Sequence, residues 1–147
     1  MATTENTFIN VPGGIVKTPP HPLLVKLEGM RGTSQYYNHP QYKKLLYTDG
    51  VRLLAREGEC YWLLDLVASV MMTKLARNDY MMLRITTKDN RGVVRIVDSE
   101  NPEAGDVYMQ KIPFTDFPFE SFQIQMSWIP FGPDDSRHLL LYLISED

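Results

Sequence analysis

Asp65 and Ser69 stand four residues apart in the stretch YWLLDLVASVMM, residues 61–72, and are its only plainly polar side chains. On an α-helix, i and i+4 project from one face, one turn apart. A helix that is apolar on nearly every other side belongs in a core. A carboxylate carried there is costly unless something pairs with it. Two chemistries follow. A buried carboxyl holds its proton more tightly and can act as an acid or base. The same group can instead be structural, paired with Tyr36, Tyr37, His39 or an arginine. Because structural networks also hold buried charges, the expectation is a polar clasp of Asp65, Ser69, Tyr36, Tyr37 and His39, with no catalytic residue. Asp65→Ala would then cost stability before any activity.

Cys60 opens the same helical pattern. A helix N-terminus favours a thiolate, and a Cys–His pair is a nucleophilic arrangement. None of the local signatures of cysteine enzymes surrounds it, so a packing role is expected. His21, His39 and His138 are scattered, without metal-ligand spacing. No phosphate-binding, dinucleotide-binding or nucleophile-elbow motif occurs. No metal and no cofactor are expected.

These residues need a scaffold, and 147 residues with 44% hydrophobic and 22% charged content supply one ordinary domain. A net charge of −3 lacks the basic footprint of a nucleic-acid binder. A single cysteine excludes an internal disulfide and fits a reducing compartment. The N-terminal stretch has neither a basic region nor an apolar run, and the longest mostly apolar stretch falls short of a bilayer span. A cytoplasmic protein without membrane contact is expected.

Pro12, Gly13, Gly14, Pro19 and Pro20 punctuate residues 1–21, which read as a flexible arm before a single domain of residues 22–147. Thr48 reads as the N-cap of a first helix, with Val51, Leu54 and Ala55 at core spacing and Gly58 as its stop. A second helix is expected over residues 59–76, making a helical hairpin. From residue 80 the period changes to two. Strands are expected over residues 80–87, 93–97, 107–112, 122–128 and 138–144, with turn chemistry at residues 89–92. The expected fold is α+β, a helical hairpin on one face of an antiparallel meander of about five strands.

The spaced motifs GTxxYYxH, LLYTDGVxxLA and YWLLDxxAS, over residues 32–69, are followed by FTDFPFE and a near-terminal LLYLISED. This pattern resembles a family of small uncharacterised bacterial, plasmid and phage proteins, a domain of unknown function, over residues 22–147. The positions that carry it are Gly32, Thr33, Tyr36, Tyr37, His39, Tyr47, Thr48, Asp49, Gly50, Tyr61, Trp62, Asp65 and Ser69. The resemblance implies an accessory protein of a phage or mobile element. The expected function is non-enzymatic binding of another protein, in concrete form an inhibitor of a host defence component such as an anti-CRISPR. Phe117, Phe119, Trp128 and Phe131 are the candidate partner-binding residues, as an exposed apolar patch. The alternatives are a small enzyme using Asp65, His39 and Cys60, or a self-assembling accessory protein whose last strand, residues 139–143, pairs across a two-fold axis.

Overall fold

The computed structural model describes residues 21–147 in full and the backbone of residues 8–11 and 14–17. Those two short segments are strands β1 (Phe8–Val11) and β2 (Gly14–Lys17), paired antiparallel. The expectation of a flexible arm otherwise lies outside the described residues. The helices are α1 (Pro22–Glu28), α2 (Asp49–Glu57) and α3 (Tyr61–Val70). Between α1 and α2 run the short strands β3 (Tyr37–Asn38) and β4 (Leu45–Tyr47). The second half is β5 (Tyr80–Lys88), β6 (Arg91–Asp98), β7 (Asp106–Ile112), β8 (Ser121–Phe131) and β9 (Ser136–Tyr142).

Seven strands form one sheet in the order β3-β4-β9-β8-β5-β6-β7. The fold is α+β, but the sheet has seven strands instead of five and is mixed, because β4 runs parallel to β9. β4 is three residues long and wholly buried, too short to show an alternation. Its partner lies at the other end of the chain, Leu45 opposite Leu139 and Tyr47 opposite Leu141. That pairing also corrects the expectation that the last strand is an exposed edge free to pair across a two-fold axis. β9 lies inside the sheet between β4 and β8, and the sheet's edges are β3 and β7.

Local chemistry sets the element ends. The β5–β6 hairpin turns on Asp89 and Asn90, at φ 55° and 63°, the left-handed pair of a two-residue hairpin loop, which Asn and Asp tolerate best. α3 stops at Val70, short of the expected residue 76. The carbonyls beyond it are taken by the sheet: the Trp128 indole donates to Leu75 O at 3.0 Å and the Arg137 guanidinium to Ala76 O at 2.9 Å.

All three helices pack on one face of the sheet. Leu23 and Leu27 of α1, Val51 and Leu54 of α2, and Leu63 and Val67 of α3 share a core with Leu83, Ile85, Ile124, Met126, Leu139 and Leu141. A helix in a single layer is covered on one side only. This explains why α3 is less buried than its composition implies: Leu63, Leu64, Val67, Ala68 and Val70 face inward, while Tyr61, Asp65 and Ser69 form an exposed stripe. The connection after β7 closes the far end of the core. Phe117 and Phe119 pack edge to face at 5.6 Å, and Phe119 stacks on Phe122 at 5.4 Å.

Candidate functional site

Asp65 meets His39 across the domain, with Nε2 to Oδ1 at 2.7 Å. The burial is the reverse of the expectation. The His39 side chain is 4% exposed and the Asp65 side chain 71%, so the argument from a buried carboxylate lapses. His39 Nδ1 accepts the backbone N–H groups of Gln41 and Tyr42 at 3.1 and 3.2 Å. The hydrogen therefore sits on Nε2 and is donated to Asp65. Both ring nitrogens are engaged, and the imidazole works as the plug of the turn leading into β4. Ser69 does not join this pair; its hydroxyl donates to Leu66 O at 2.7 Å. Nor do the tyrosines. Tyr37 reaches Asp49, and the Tyr36 ring lies against Phe131 at 5.6 Å.

The larger polar network is centred on Asp49, at the start of α2. Thr48 adopts the extended backbone of an N-cap, φ −88° and ψ 176°. The first turn of a helix leaves N–H groups without partners, and three are satisfied here by side chains from three parts of the chain. Asp49 N donates to Thr33 Oγ1 at 2.9 Å, Gly50 N to Glu146 Oε2 at 2.9 Å, and Val51 N to Thr48 Oγ1 at 3.4 Å. The Glu146 carboxylate also accepts the Thr48 hydroxyl at 2.6 Å and Leu143 N at 2.9 Å. Asp49 in turn accepts the backbone N–H and hydroxyl of Ser34, each at 2.7 Å, and the Tyr37 hydroxyl at 2.8 Å.

Two carboxylates thus sit at the positive end of α2, where the helix dipole favours them. The two donors of Ser34, followed by the Tyr37 hydroxyl, hold the Asp49 carboxyl down at about 2 from its ordinary 3.8. Arg52 stacks its guanidinium over the Tyr37 ring at 4.7 Å, and Tyr37 stacks on Tyr47 at 5.7 Å. Gly50 is required by the approach of the C-terminal turn. A Cβ there would lie 2.6 Å from Leu143 Cδ1 and 2.8 Å from the Glu146 carboxylate. Sequence reasoning singled out Thr33, Tyr37, Thr48, Asp49 and Gly50 as motif positions but assigned the clasp to Asp65, and it missed Glu146. The signal was present in the ending LLYLISED.

Cys60 is corrected too. It is 1% exposed, its Sγ donates to Leu54 O at 3.5 Å, and burial pushes the thiol up to about 12. Desolvation outweighs any helix-end effect, so the thiol keeps its proton. Among the described residues, no three His, Cys, Asp or Glu side chains are placed to hold a metal ion. Likewise, no described helix is long and apolar enough to cross a membrane.

Three of the four proposed contact aromatics are not available as an exposed patch. Phe117 and Phe119 are buried in the core. Trp128 is partly buried under Arg137, whose guanidinium lies 4.4 Å from its ring. Phe131 is exposed, on the sheet face that the helices leave uncovered, between Tyr36 and His138.

The fold and site define a small α+β protein with a one-sided helical layer, fastened by carboxylates at a helix N-terminus. A model of the family of unknown function DUF6876 matches residues 21–147, and the chain belongs to that family. No curated protein and no solved structure matches it.

Three outcomes are expected. Gly50→Ala destabilises by about 1–3 kcal/mol, as overpacking does. In a Glu146→Ala background it costs less, which a double-mutant cycle on denaturant midpoints measures; strict additivity would refute the close approach. Asp49 is stabilising in its ionised form, so its contribution is complete above about pH 4 and is lost as pH falls toward its folded value. The stability gap between wild type and Asp49→Asn therefore closes through that window, and parallel pH profiles would contradict the network. His39→Ala costs about 1–3 kcal/mol, because it removes a buried side chain together with the acceptor of the Gln41 and Tyr42 N–H groups. Asp65→Ala costs less than about 1 kcal/mol, as for an exposed pair. The reverse order in urea denaturation would show that Asp65 is the anchor.

Proposed function

We propose that the chain is a non-enzymatic binding protein that takes a protein partner on the uncovered face of its sheet. The observation that carries this is a groove of about 270 Å³ on that face, where Tyr36, Ile129, Leu140 and Tyr142 meet Glu146 and Asp147. Aromatic and aliphatic side chains rimmed by charge are the composition of a contact surface. Phe131 and His138 extend the apolar strip beside Tyr36.

The charges further along the face suggest the chemistry of the partner. Arg84 and Arg95 lie directly opposite one another on β5 and β6, both exposed. Like charges in that position repel. Arg95 is held by Asp106 at 2.6 Å. Arg84 rests on the Gln123 amide oxygen and has no carboxylate partner among the described residues. An acidic group on the partner would offset this repulsion, and a basic one would suit Asp147 at the other end. The narrower form of the proposal is an accessory protein of a phage or mobile element that blocks a host defence component; its support is the resemblance to plasmid and phage proteins. A small enzyme built on Asp65, His39 and Cys60 is less well supported, because both imidazole nitrogens are engaged and the thiol is buried.

Phe131→Asp should leave the melting temperature nearly unchanged and abolish capture of the partner from bacterial lysate. Met72→Asp, a change at an exposed residue at the end of α3, should leave capture intact. No stable partner for the wild type, or equal loss in both variants, would sink the proposal.

A further inference from the structure

The uncovered face of the sheet carries its charge unevenly. Leu83, Ile85, Val94 and Ile96 are buried against the helices, so Arg84, Thr86 and Lys88 of β5 and Arg91, Val93 and Arg95 of β6 point the other way. Lys88 stands opposite Arg91, and Arg84 opposite Arg95. Lys111 of β7 stands opposite Val93, in the row between those two pairs. Successive rows on one face are about 7 Å apart, and neighbouring strands about 5 Å. Five exposed cations thus share three adjacent rows, in a chain whose net charge is −3.

Little on the described surface neutralises them. Asp106 takes Arg95 at 2.6 Å, and Asp89 lies in the turn beyond Lys88. Arg84, Lys88, Arg91 and Lys111 have no carboxylate partner among the described residues. At the hairpin end a hollow of about 220 Å³ is lined by Thr86, Thr87, Lys88 and Arg91, so two cations border a space that a carboxylate side chain fits. Clustered charge of one sign attracts a ligand of the other and speeds its encounter.

The patch is continuous with the apolar groove. Gln123 stands opposite Arg84, and one row on, Gln125 stands opposite both Met82 and Tyr142. Tyr142 lines the groove that also holds Glu146 and Asp147. The sign of the charge therefore reverses across the face. A phosphate backbone is negative along its whole length and would meet those carboxylates with repulsion. A protein segment can change sign from residue to residue, and in an extended one alternate side chains repeat at the ~7 Å of the rows beneath.

Building on the open-face site, we propose that the β5–β6–β7 half of this face binds an acidic segment of the protein partner, its carboxylates set against Arg84, Lys88, Arg91 and Lys111.

The test is a titration of the full chain into a fluorescent oligoglutamate peptide, followed by anisotropy. Wild type is expected to bind, less tightly as salt rises. The Arg84→Glu, Lys111→Glu pair should weaken binding about tenfold or more. The control is Lys43→Glu, Lys74→Glu, an equal change of net charge at exposed positions before β4 and after α3, which should keep the wild-type affinity. Arg84→Glu also removes the repulsion with Arg95, so the fold is expected to hold, which thermal melting checks; Arg84→Gln, Lys111→Gln is the milder pair and should weaken binding in the same direction. No binding by wild type would overturn the proposal, and so would equal loss in the two charge-reversed pairs. Tighter binding of a single-stranded oligonucleotide of equal charge would overturn it in favour of nucleic acid. Phe131→Asp should leave oligoglutamate affinity unchanged. A failed titration beside intact Phe131-dependent capture therefore sinks the acidic segment alone, and a failed capture beside an intact titration sinks the apolar site alone.

Discussion

The helical layer depends on how the first turn of α2 satisfies its backbone N–H groups. Left to water, those groups would fray, since a nine-residue helix has little stability of its own. Here the acceptors come from the loop before β3, from the N-cap and from the C-terminal turn. The order of events in sequence space is therefore unusual. A helix in the first half of the chain is completed by a carboxylate 96 residues later. The same carboxylate fixes the turn that follows β9, so the parallel β4–β9 pair and the start of α2 are held by one group. Gly50 follows from this arrangement, because no side chain fits between the helix backbone and Glu146.

The second constraint is that the sheet has helices on one face only. Along β8, Ile124 and Met126 are buried under the helices, while Gln123, Gln125 and Ser127 point the other way. Gln123 and Gln125 are half-buried, as a face open to water allows, while Ser127 is buried beside the Tyr142 hydroxyl. The face changes character at the end of the strand, where Ile129 and Phe131 occupy the same outward positions. Leu46 and Leu140 are buried on that side yet lie outside the main core. Leu46 and Leu140 help to hold the fold, whereas Phe131 stays exposed at the end of the strand, and that open part of the apolar end is what bears on binding.

Much of the architecture was legible where a segment carries its own periodicity. α2 was readable from Thr48, Val51, Leu54, Ala55 and Gly58, and the hairpin from Asp89 and Asn90. What was not legible has physical causes. β4 is too short to show a period, and its parallel partner is set by tertiary packing. The expected strand stops at residue 128, but β8 continues through Pro130, paired with Arg137. Ending the strand at Trp128 hid the outward positions of Ile129 and Phe131. Apolar composition in YWLLDLVASV spoke of burial, yet only one side of α3 is covered. Asp65 therefore looked buried and is not, and Phe117 and Phe119 looked like an exposed patch and are core. Composition reports how much apolar surface a segment has; which side is covered is decided by the other layers.

Glu146 joins these two constraints. Its carboxylate caps α2, and the same residue lines the groove on the uncovered face. Thr33, whose hydroxyl accepts Asp49 N, lines that groove as well. A ligand in the groove is thus in contact with the groups that hold the start of α2. Any partner that binds the folded chain alone stabilises it by mass action; one seated here would in addition restrict the C-terminal turn on which the helix cap depends. The reverse also holds, because linkage is reciprocal: loosening the cap at Glu146 disorders one wall of the groove. The polar network fixed by the motif residues is therefore the support of the candidate binding surface, and the aromatic residues beside it supply the contact.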